Sequence, residues 1–349
     1  MYFRYTLGLI FACLVAFPSV HLQGQDVQFS QFYHAPVYNN PAMAGVHKGR
    51  FRASLNYKSQ WGAVVDNYFQ TFNAQVDIRS RISRNDFLAY GFNAMQDRIG
   101  TRGITQTNGG ATVAFIKQLG KARYRDFSQF LSLGANVSVG QQKLENDLWF
   151  SNQYDPLAED IDFNLDSGEN LLESTGIYPD LSAGILYYAV FGPNSFYIGG
   201  SASHLNRPNV SLVEGSTSNI ATKFTGQIGG EFSLSDEISI LPAFIVHLQG
   251  PATISSVGAN LRYSNSDWRE VALRAGGWVS FSKNIETGLH TPYFTTSFIL
   301  EIERFQLGLS YDLNTGSLAQ PTDSRGSFEL GLIYVHPAKL RDRVKCPKL

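Results

Sequence analysis

The sequence predicts a transmembrane antiparallel β-barrel of the outer-membrane type, with about fourteen strands. Apolar residues alternate with small or polar ones along segments of about ten residues, the length that a tilted strand needs to cross a bilayer. Charged residues make up 16% of the chain, below the roughly 25% of soluble domains, while glycine reaches 32 residues and aromatic residues 13%. Beyond the N-terminus, no apolar run is long enough for a membrane-spanning helix.

The chain begins with the pattern of an export signal, which we predict to cover residues 1–24 and to leave Gln25 as the first mature residue. Arg4 provides the positive charge, and the apolar stretch that follows is too short to span a bilayer. Cys13 would be lost with the signal. Cys346 would then have no partner for an internal disulfide.

The alternation is clearest in residues 305–313, where one set of positions is apolar and the other is small or polar. The first set comprises Phe305, Leu307, Leu309, Tyr311 and Leu313, and the second comprises Gln306, Gly308, Ser310 and Asp312. A strand places the two sets on opposite faces, which no helix does. We therefore expect the apolar set to face lipid and the polar set to face a wet lumen.

About fourteen segments of this kind follow one another between residues 51 and 336, which we assign to the barrel. They lie near 51–61, 68–80, 86–98, 106–118, 127–143, 178–191, 194–205, 221–234, 237–247, 254–264, 270–281, 293–303, 305–313 and 326–336. An even number of strands is typical of bacterial single-chain barrels.

The connections between these segments alternate in length. Long ones, at 144–177, 206–220, 282–292 and 314–325, follow odd-numbered segments, and tight ones such as 192–193 follow even-numbered segments. Outer-membrane barrels have long outer loops and short periplasmic turns, so the pattern predicts that both termini face the periplasm. A large soluble β-sandwich or β-helix is the alternative fold, but the polar, glycine-rich set would make a poor dry core.

The N-terminal segment, residues 25–50, does not fit the strand pattern. Its prolines and glycines interrupt a strand, and its aromatic residues are too apolar for a free tail. The segment is predicted either to dock on a periplasmic partner or to plug the barrel, and the sequence leaves both alternatives open. The residues that we predict to bind a partner in this segment are Phe29, Phe32, Tyr33, Asn40, Pro41 and Gly45.

The C-terminal segment, residues 337–349, is basic and is expected to form a periplasmic tail. Its positive charge suits contact with a periplasmic partner, and a disordered terminus is the alternative.

The sequence contains no recognisable catalytic or cofactor-binding motif. The seven histidines are scattered, and no metal-ligand spacing, phosphate-binding loop or nucleophile elbow is present. The formal net charge of −1 gives no reason to expect a nucleic-acid partner. The sequence therefore predicts a protein that is not an enzyme, with no cofactor and no metal site.

Several short motifs resemble those of the PorP/SprF family, membrane components of the type IX secretion and gliding systems of Bacteroidetes. The matching stretches are Gln28-Phe29-Ser30-Gln31-Phe32-Tyr33, Asn40-Pro41-Ala42-Met43-Ala44-Gly45, Tyr57-Lys58-Ser59-Gln60-Trp61, Asp97-Arg98-Ile99-Gly100, Ser203-His204-Leu205-Asn206-Arg207-Pro208, Ser327-Phe328-Glu329-Leu330-Gly331 and Cys346-Pro347-Lys348-Leu349. At the position of Lys58, directly after Tyr57, the family usually has Arg. The order and spacing of the motifs make the resemblance specific, and it covers essentially the whole mature chain.

The resemblance implies an outer-membrane component of a secretion or gliding apparatus. Its implied partners are periplasmic secretion-ring or peptidoglycan-binding proteins and secreted adhesin-like cargo, and Cys346 and Pro347 are added to the predicted partner-binding residues. A passive diffusion porin and an outer-membrane hydrolase are the alternative functions. An open lumen would favour the porin, and a Ser–His pair at the barrel rim would favour the hydrolase.

Overall fold

The protein folds as a closed antiparallel β-barrel of fourteen strands, seen in a computed structural model. The structure describes residues 26–65, 68–100, 103–121, 127–144, 151–155, 159–162, 165, 170–265, 271–284 and 288–337. The predicted signal 1–24 and nearly all of the basic tail lie outside these ranges. Within them, no helix has the length and apolarity that a membrane crossing requires.

The barrel strands follow one another around the wall, each pairing with its neighbours in the sequence, as predicted. They are β1 Phe51–Gln60, β2 Phe69–Arg81, β3 Asp86–Ile99, β4 Ile104–Lys121, β5 Phe127–Leu144, β6 Tyr178–Phe191, β7 Asn194–Ser203, β8 Lys223–Ser233, β9 Ile238–Gln249, β10 Ala252–Tyr263, β11 Val271–Asn284, β12 Tyr293–Ile302, β13 Phe305–Asn314 and β14 Arg325–His336. Pairing of β1 with β14 closes the wall, so no strand edge is left without a partner.

Side chains alternate between the two faces of the wall, as the sequence predicts. In β13, Leu307 and Leu309 are each 40% exposed on the outer face, whereas Ser310 is only 4% exposed on the inner face. Leucine, valine and phenylalanine side chains cover the outer face in the same way on the other strands. An apolar outer face is what contact with lipid requires.

The two rims of the barrel differ. We call the end at which β1 finishes the long-loop rim, because the connections 145–177 and 204–222 lie there, and the opposite end the short-turn rim. The turns 192–193 and 303–304 lie at the short-turn rim. The predicted asymmetry is incomplete, since the connections 61–68, 100–103 and 250–251 at the long-loop rim are all short.

Short elements complete the described structure. Three short strands, Tyr154–Asp155, Asp160–Ile161 and Gly288–His290, lie in the connections, as do the 3₁₀ turns Ser151–Gln153 and Gly316–Leu318. The remaining short elements belong to residues 26–50, which we call the lumen segment: the 3₁₀ turns Phe32–His34 and Pro41–Met43, and the one-turn helix α1 at Pro36–Asn39.

The lumen segment passes through the inside of the barrel from one rim to the other. Asp26 contacts Gln249 at the long-loop rim, and Arg50 bonds to His336 at the short-turn rim. The segment packs against the inner face of the wall, and Asp26 and Pro337, the first and last described residues, lie at opposite rims. The prediction that both termini face the periplasm concerns residues outside the described ranges and stays a prediction.

Candidate functional site

The lumen segment is held at the long-loop rim by a group of polar and charged side chains. The Asp26 carboxylate lies 2.5 Å from Lys223 Nζ and 2.9 Å from His204 Nε2. The other ring nitrogen of His204, Nδ1, lies 2.9 Å from Asp180. Gln249 completes the group, because it accepts from the Asp26 backbone N–H at 2.9 Å and donates to the carboxylate at 3.1 Å. We call these five residues the mouth cluster.

The charges of the mouth cluster stabilise one another. Burial would raise the pKa of Asp26, but the charge of Lys223 and the hydrogen bond and charge of His204 hold it well below its usual range. Burial would lower the pKa of His204, but hydrogen bonds to Asp180 and Asp26 and their charges raise it to about 9. The cluster therefore favours an ionised Asp26 and a protonated His204 at neutral pH.

A second charged group binds the backbone of the lumen segment deeper in the barrel. Glu329 accepts the backbone N–H groups of Ser30 at 2.6 Å and Gln31 at 2.9 Å. Lys58 lies 3.2 Å from Glu329 and donates to the Gln28 carbonyl at 2.7 Å. Asp312 accepts from the Ser30 hydroxyl at 2.7 Å. These buried wall charges are thus paired with each other and with the backbone of the segment.

Aromatic residues of the segment pack on the wall below this point. Phe32 and Tyr33, only 4% and 6% exposed, contact Trp278 with ring centroids 5.2 Å and 5.8 Å apart. Ile245 and Ile299 complete this buried cluster. The contacts give the lumen a dry apolar region.

Glycines in the wall make room for His34. A Cβ built at either Gly308 or Gly331 would overlap the His34 ring, and these two glycines face each other across β13 and β14. His34 is fully buried. Its ring fits only because the wall carries no side chain at these two positions.

A second pair of glycines makes room for Asn40 and Pro41. A Cβ at Gly184 would overlap the Asn40 side chain, and one at Gly134 would overlap the Pro41 carbonyl. Asn40 also caps the turn that follows it, since its side chain accepts from the Ala42 N–H at 2.9 Å. Shape complementarity between segment and wall thus continues through the middle of the barrel.

A third charged group holds the segment where it leaves the barrel. Asp77 accepts from the Gly45 N–H at 2.7 Å and pairs with Arg52 at 2.8 Å. Arg79 donates to the carbonyl oxygens of Gly45 at 2.6 Å and Gly49 at 3.0 Å. Gly45 has a φ of 76°, in the left-handed region that glycine adopts without strain. The tight turn here lets the segment enter β1.

One polar cavity of about 80 Å³ remains between the segment and the wall near the long-loop rim. Its lining includes Tyr38 of the segment and the wall residues Asn93, Asn108, Asn136 and Asp97. Since one water molecule needs roughly 10–15 Å³ of such volume, the cavity has room for several waters.

The structure brings six of the predicted partner-binding residues together inside the barrel. Phe29, Phe32, Tyr33, Asn40, Pro41 and Gly45 are all buried there. A partner would reach them only after the segment had left the lumen, so partner binding by these residues stays a prediction. Cys346 and Pro347 lie outside the described residues.

The sequence analysis missed the residues that hold the segment. Asp26, Lys223 and Glu329 are charged, and Lys223 and Glu329 occupy inward-facing strand positions, which was the available signal. Inward-facing charges also suit a water-filled lumen, so the alternation of strand positions alone did not indicate a packed lumen. At the rim, His204 pairs with two carboxylates, Asp26 and Asp180, rather than with a serine as the hydrolase alternative would require.

These features define a class of protein: an outer-membrane β-barrel whose lumen is filled by its own N-terminal segment. The family model of the type IX secretion system membrane protein PorP/SprF matches residues 21–334, so the chain belongs to this family. The family and the fold place the protein in the outer membrane.

Solved structures with the same fold are distant in sequence. The deltaS2 mutant of the TodX monoaromatic hydrocarbon channel is 9% identical, with a TM-score of 0.50, and the match covers 86% of this chain and 93% of that one. CdiB from Acinetobacter baumannii is 8% identical, with a TM-score of 0.46, over 82% of this chain and 60% of that one. A comparison with curated proteins found no significant match. The likeness to the TodX channel supports the barrel fold alone.

Proposed function

We propose that this protein is a sealed outer-membrane component of the type IX secretion and gliding machinery. It supports the export or surface anchoring of adhesin-like cargo by binding other components at its rims, without passing cargo through its own lumen. Membership of the PorP/SprF family supports the link to secretion.

The observation that carries the proposal is the filled lumen. Charged wall residues at three levels, Lys223, Glu329 and Asp77, bind the lumen segment, and wall glycines fit its shape. Removing the segment would break the hydrogen bonds and ion pairs that these buried charges make to it until water replaced them, which is costly. A pathway for a large cargo through this barrel would have to displace the whole segment.

The partners that we propose are periplasmic secretion-ring or peptidoglycan-binding proteins, together with the adhesin-like cargo. No catalytic step is part of the proposed function. A passive diffusion porin remains the rival, and it requires a lumen that conducts while the segment is in place.

A complementation experiment tests the proposal. A strain that lacks this protein is complemented with the wild-type chain, and surface display of adhesin-like proteins and gliding are measured. Restoration of either activity, with secretion-machinery proteins recovered by cross-linking and mass spectrometry, supports the proposal. Normal display and gliding in the strain without the protein would contradict it.

A further inference from the structure

The contacts at the two ends of the lumen segment fix its direction through the barrel. The partners of Asp26 lie at the long-loop rim: Gln249 is the last residue of β9, Lys223 the first of β8, and His204 directly follows β7. At the opposite end, the Arg50 N–H donates to the His336 carbonyl at 2.9 Å, beside the start of β1. The segment therefore crosses the full height of the wall.

The wall offers no gap through which the segment could turn back. Strand β1 pairs with β14 over its whole length, and β10 pairs with β11, so the sheet is continuous around the lumen. The Asp26 side chain, only 14% exposed, lies against the charges of the mouth cluster at the long-loop rim.

We propose that the mature N-terminal end of this protein is presented at the long-loop mouth, on the side of the membrane opposite to the end of β14. The mouth cluster is a carboxylate-binding site whose occupant is Asp26 of the same chain. Lys223 and His204 supply the positive charge, Gln249 orients the carboxylate, and Asp180 holds the ring of His204. The inference concerns the path of the chain and does not depend on the proposed role in secretion.

An epitope inserted directly before Asp26 tests the path of the chain. Two control insertions mark the two sides: one after Gly215, an exposed residue in connection 204–222, and one after Asp236, an exposed residue in turn 234–237. Antibody binding is measured on intact and on permeabilised cells, with immunoblots to confirm that each mature tagged chain is present.

The proposal expects the epitope before Asp26 to behave like the one after Gly215, whichever side of the membrane the long loops face. If it behaves like the one after Asp236, the threaded path is wrong. If both the Asp26 and Gly215 epitopes are hidden on intact cells while the Asp236 epitope is exposed, the threading holds and only the assumed orientation of the barrel is reversed.

A charge exchange tests the occupant of the mouth cluster without any insertion. Asp26→Lys and Lys223→Asp each place like charges together, and the double variant restores an opposite pair. We expect each single variant to unfold at a lower temperature in SDS gel-shift assays and the double variant to recover most of the loss. Unfolding temperatures for the double variant no higher than those for the single variants would show that Asp26 does not occupy the site.

Discussion

At the scale of single residues, the packing of the lumen depends on contacts between residues of the lumen segment and wall residues that are far away in the sequence. His34 rests on Gly308 and Gly331, and Glu329 binds the backbone of Ser30 and Gln31. Each contact is ordinary in kind, but each joins the lumen segment to a strand formed near the other end of the chain. The segment and the wall therefore stabilise each other.

Replacing one wall glycine tests this fit. Gly331→Ala places a Cβ inside the His34 ring, so the segment must shift, and overpacking of this kind costs about 1–3 kcal/mol. We expect a lower unfolding temperature in SDS gel-shift assays. Gly109→Ala is the control, because it lies on the outer face with its nearest neighbouring atom 3.9 Å from the new Cβ. Equal effects of the two substitutions would contradict the fit.

The mouth cluster predicts a dependence of stability on pH. Since hydrogen bonds and the charges of Asp26 and Asp180 raise the pKa of His204 from 6.5 to about 9, folding favours the protonated ring. The contribution of His204 to the free energy of unfolding is fully present below about pH 6.5 and is lost as pH rises toward 9. This contribution is at most about 3 kcal/mol.

Unfolding temperatures measured between pH 6 and pH 9.5 check this prediction (a range chosen around the two pKa values). The wild-type protein is expected to lose stability across the window. His204→Gln removes the titrating ring, so the unfolding temperature of this variant is expected to depend less on pH. Lys223 still pairs with Asp26 in the variant. A wild-type profile as flat as that of the variant would contradict the assignment of the charge to His204.

At the scale of the strands, the sequence predicted the wall well. Alternation over about ten residues gave all fourteen strands, with small differences at their ends, because lipid on one face and protein on the other leave a strict period of two. The largest departures are in β4 and β11, which extend to Lys121 and Asn284, beyond the predicted ends at 118 and 281. Backbone hydrogen bonds extend these strands beyond the residues in which apolar and polar side chains alternate.

A substitution on the outer face tests the assignment of the two faces. Leu309→Arg places a charge near the middle of β13 on the lipid side, at a cost of about 2–4 kcal/mol, so membrane assembly is expected to fall. Leu309→Met, which keeps an apolar side chain of similar size, is the control. The folded, heat-modifiable fraction in membrane extracts is the measurement.

Equal assembly of the two Leu309 variants would contradict the assignment. Ser310→Arg is not a neutral comparison for the same strand, because Ser310 faces the lumen and accepts from Gln31 Nε2 at 3.1 Å. A large side chain there would collide with the lumen segment.

The path of the lumen segment could not be predicted from the sequence, for a physical reason. Its partners are separated by up to 299 residues, as in the bond from Ser30 to Glu329, and no local period records such pairs. The aromatic residues and the turn at Asn40–Gly45 did indicate a packed segment, but docking on a partner explained them equally well. The position of the lumen segment inside the barrel can be recognised only when the closed wall is known.

At the scale of the whole molecule, the protein is a barrel whose lumen holds residues 26–50 of its own chain. The outer face meets lipid, the lumen is filled from rim to rim, and the two rims differ in loop length and in the chain end that they present. The surfaces left for other proteins are therefore the rims. This arrangement agrees with a component that binds secretion machinery better than with one that conducts.

Conductance in planar lipid bilayers tests the seal most directly. The full mature chain is expected to show no steady open conductance, because residues 26–50 cross the lumen from rim to rim and pack against the wall. A variant that lacks residues 26–50 is expected to conduct, which would assign the seal to the segment. A large, steady conductance from the intact protein would contradict the account and would favour the porin.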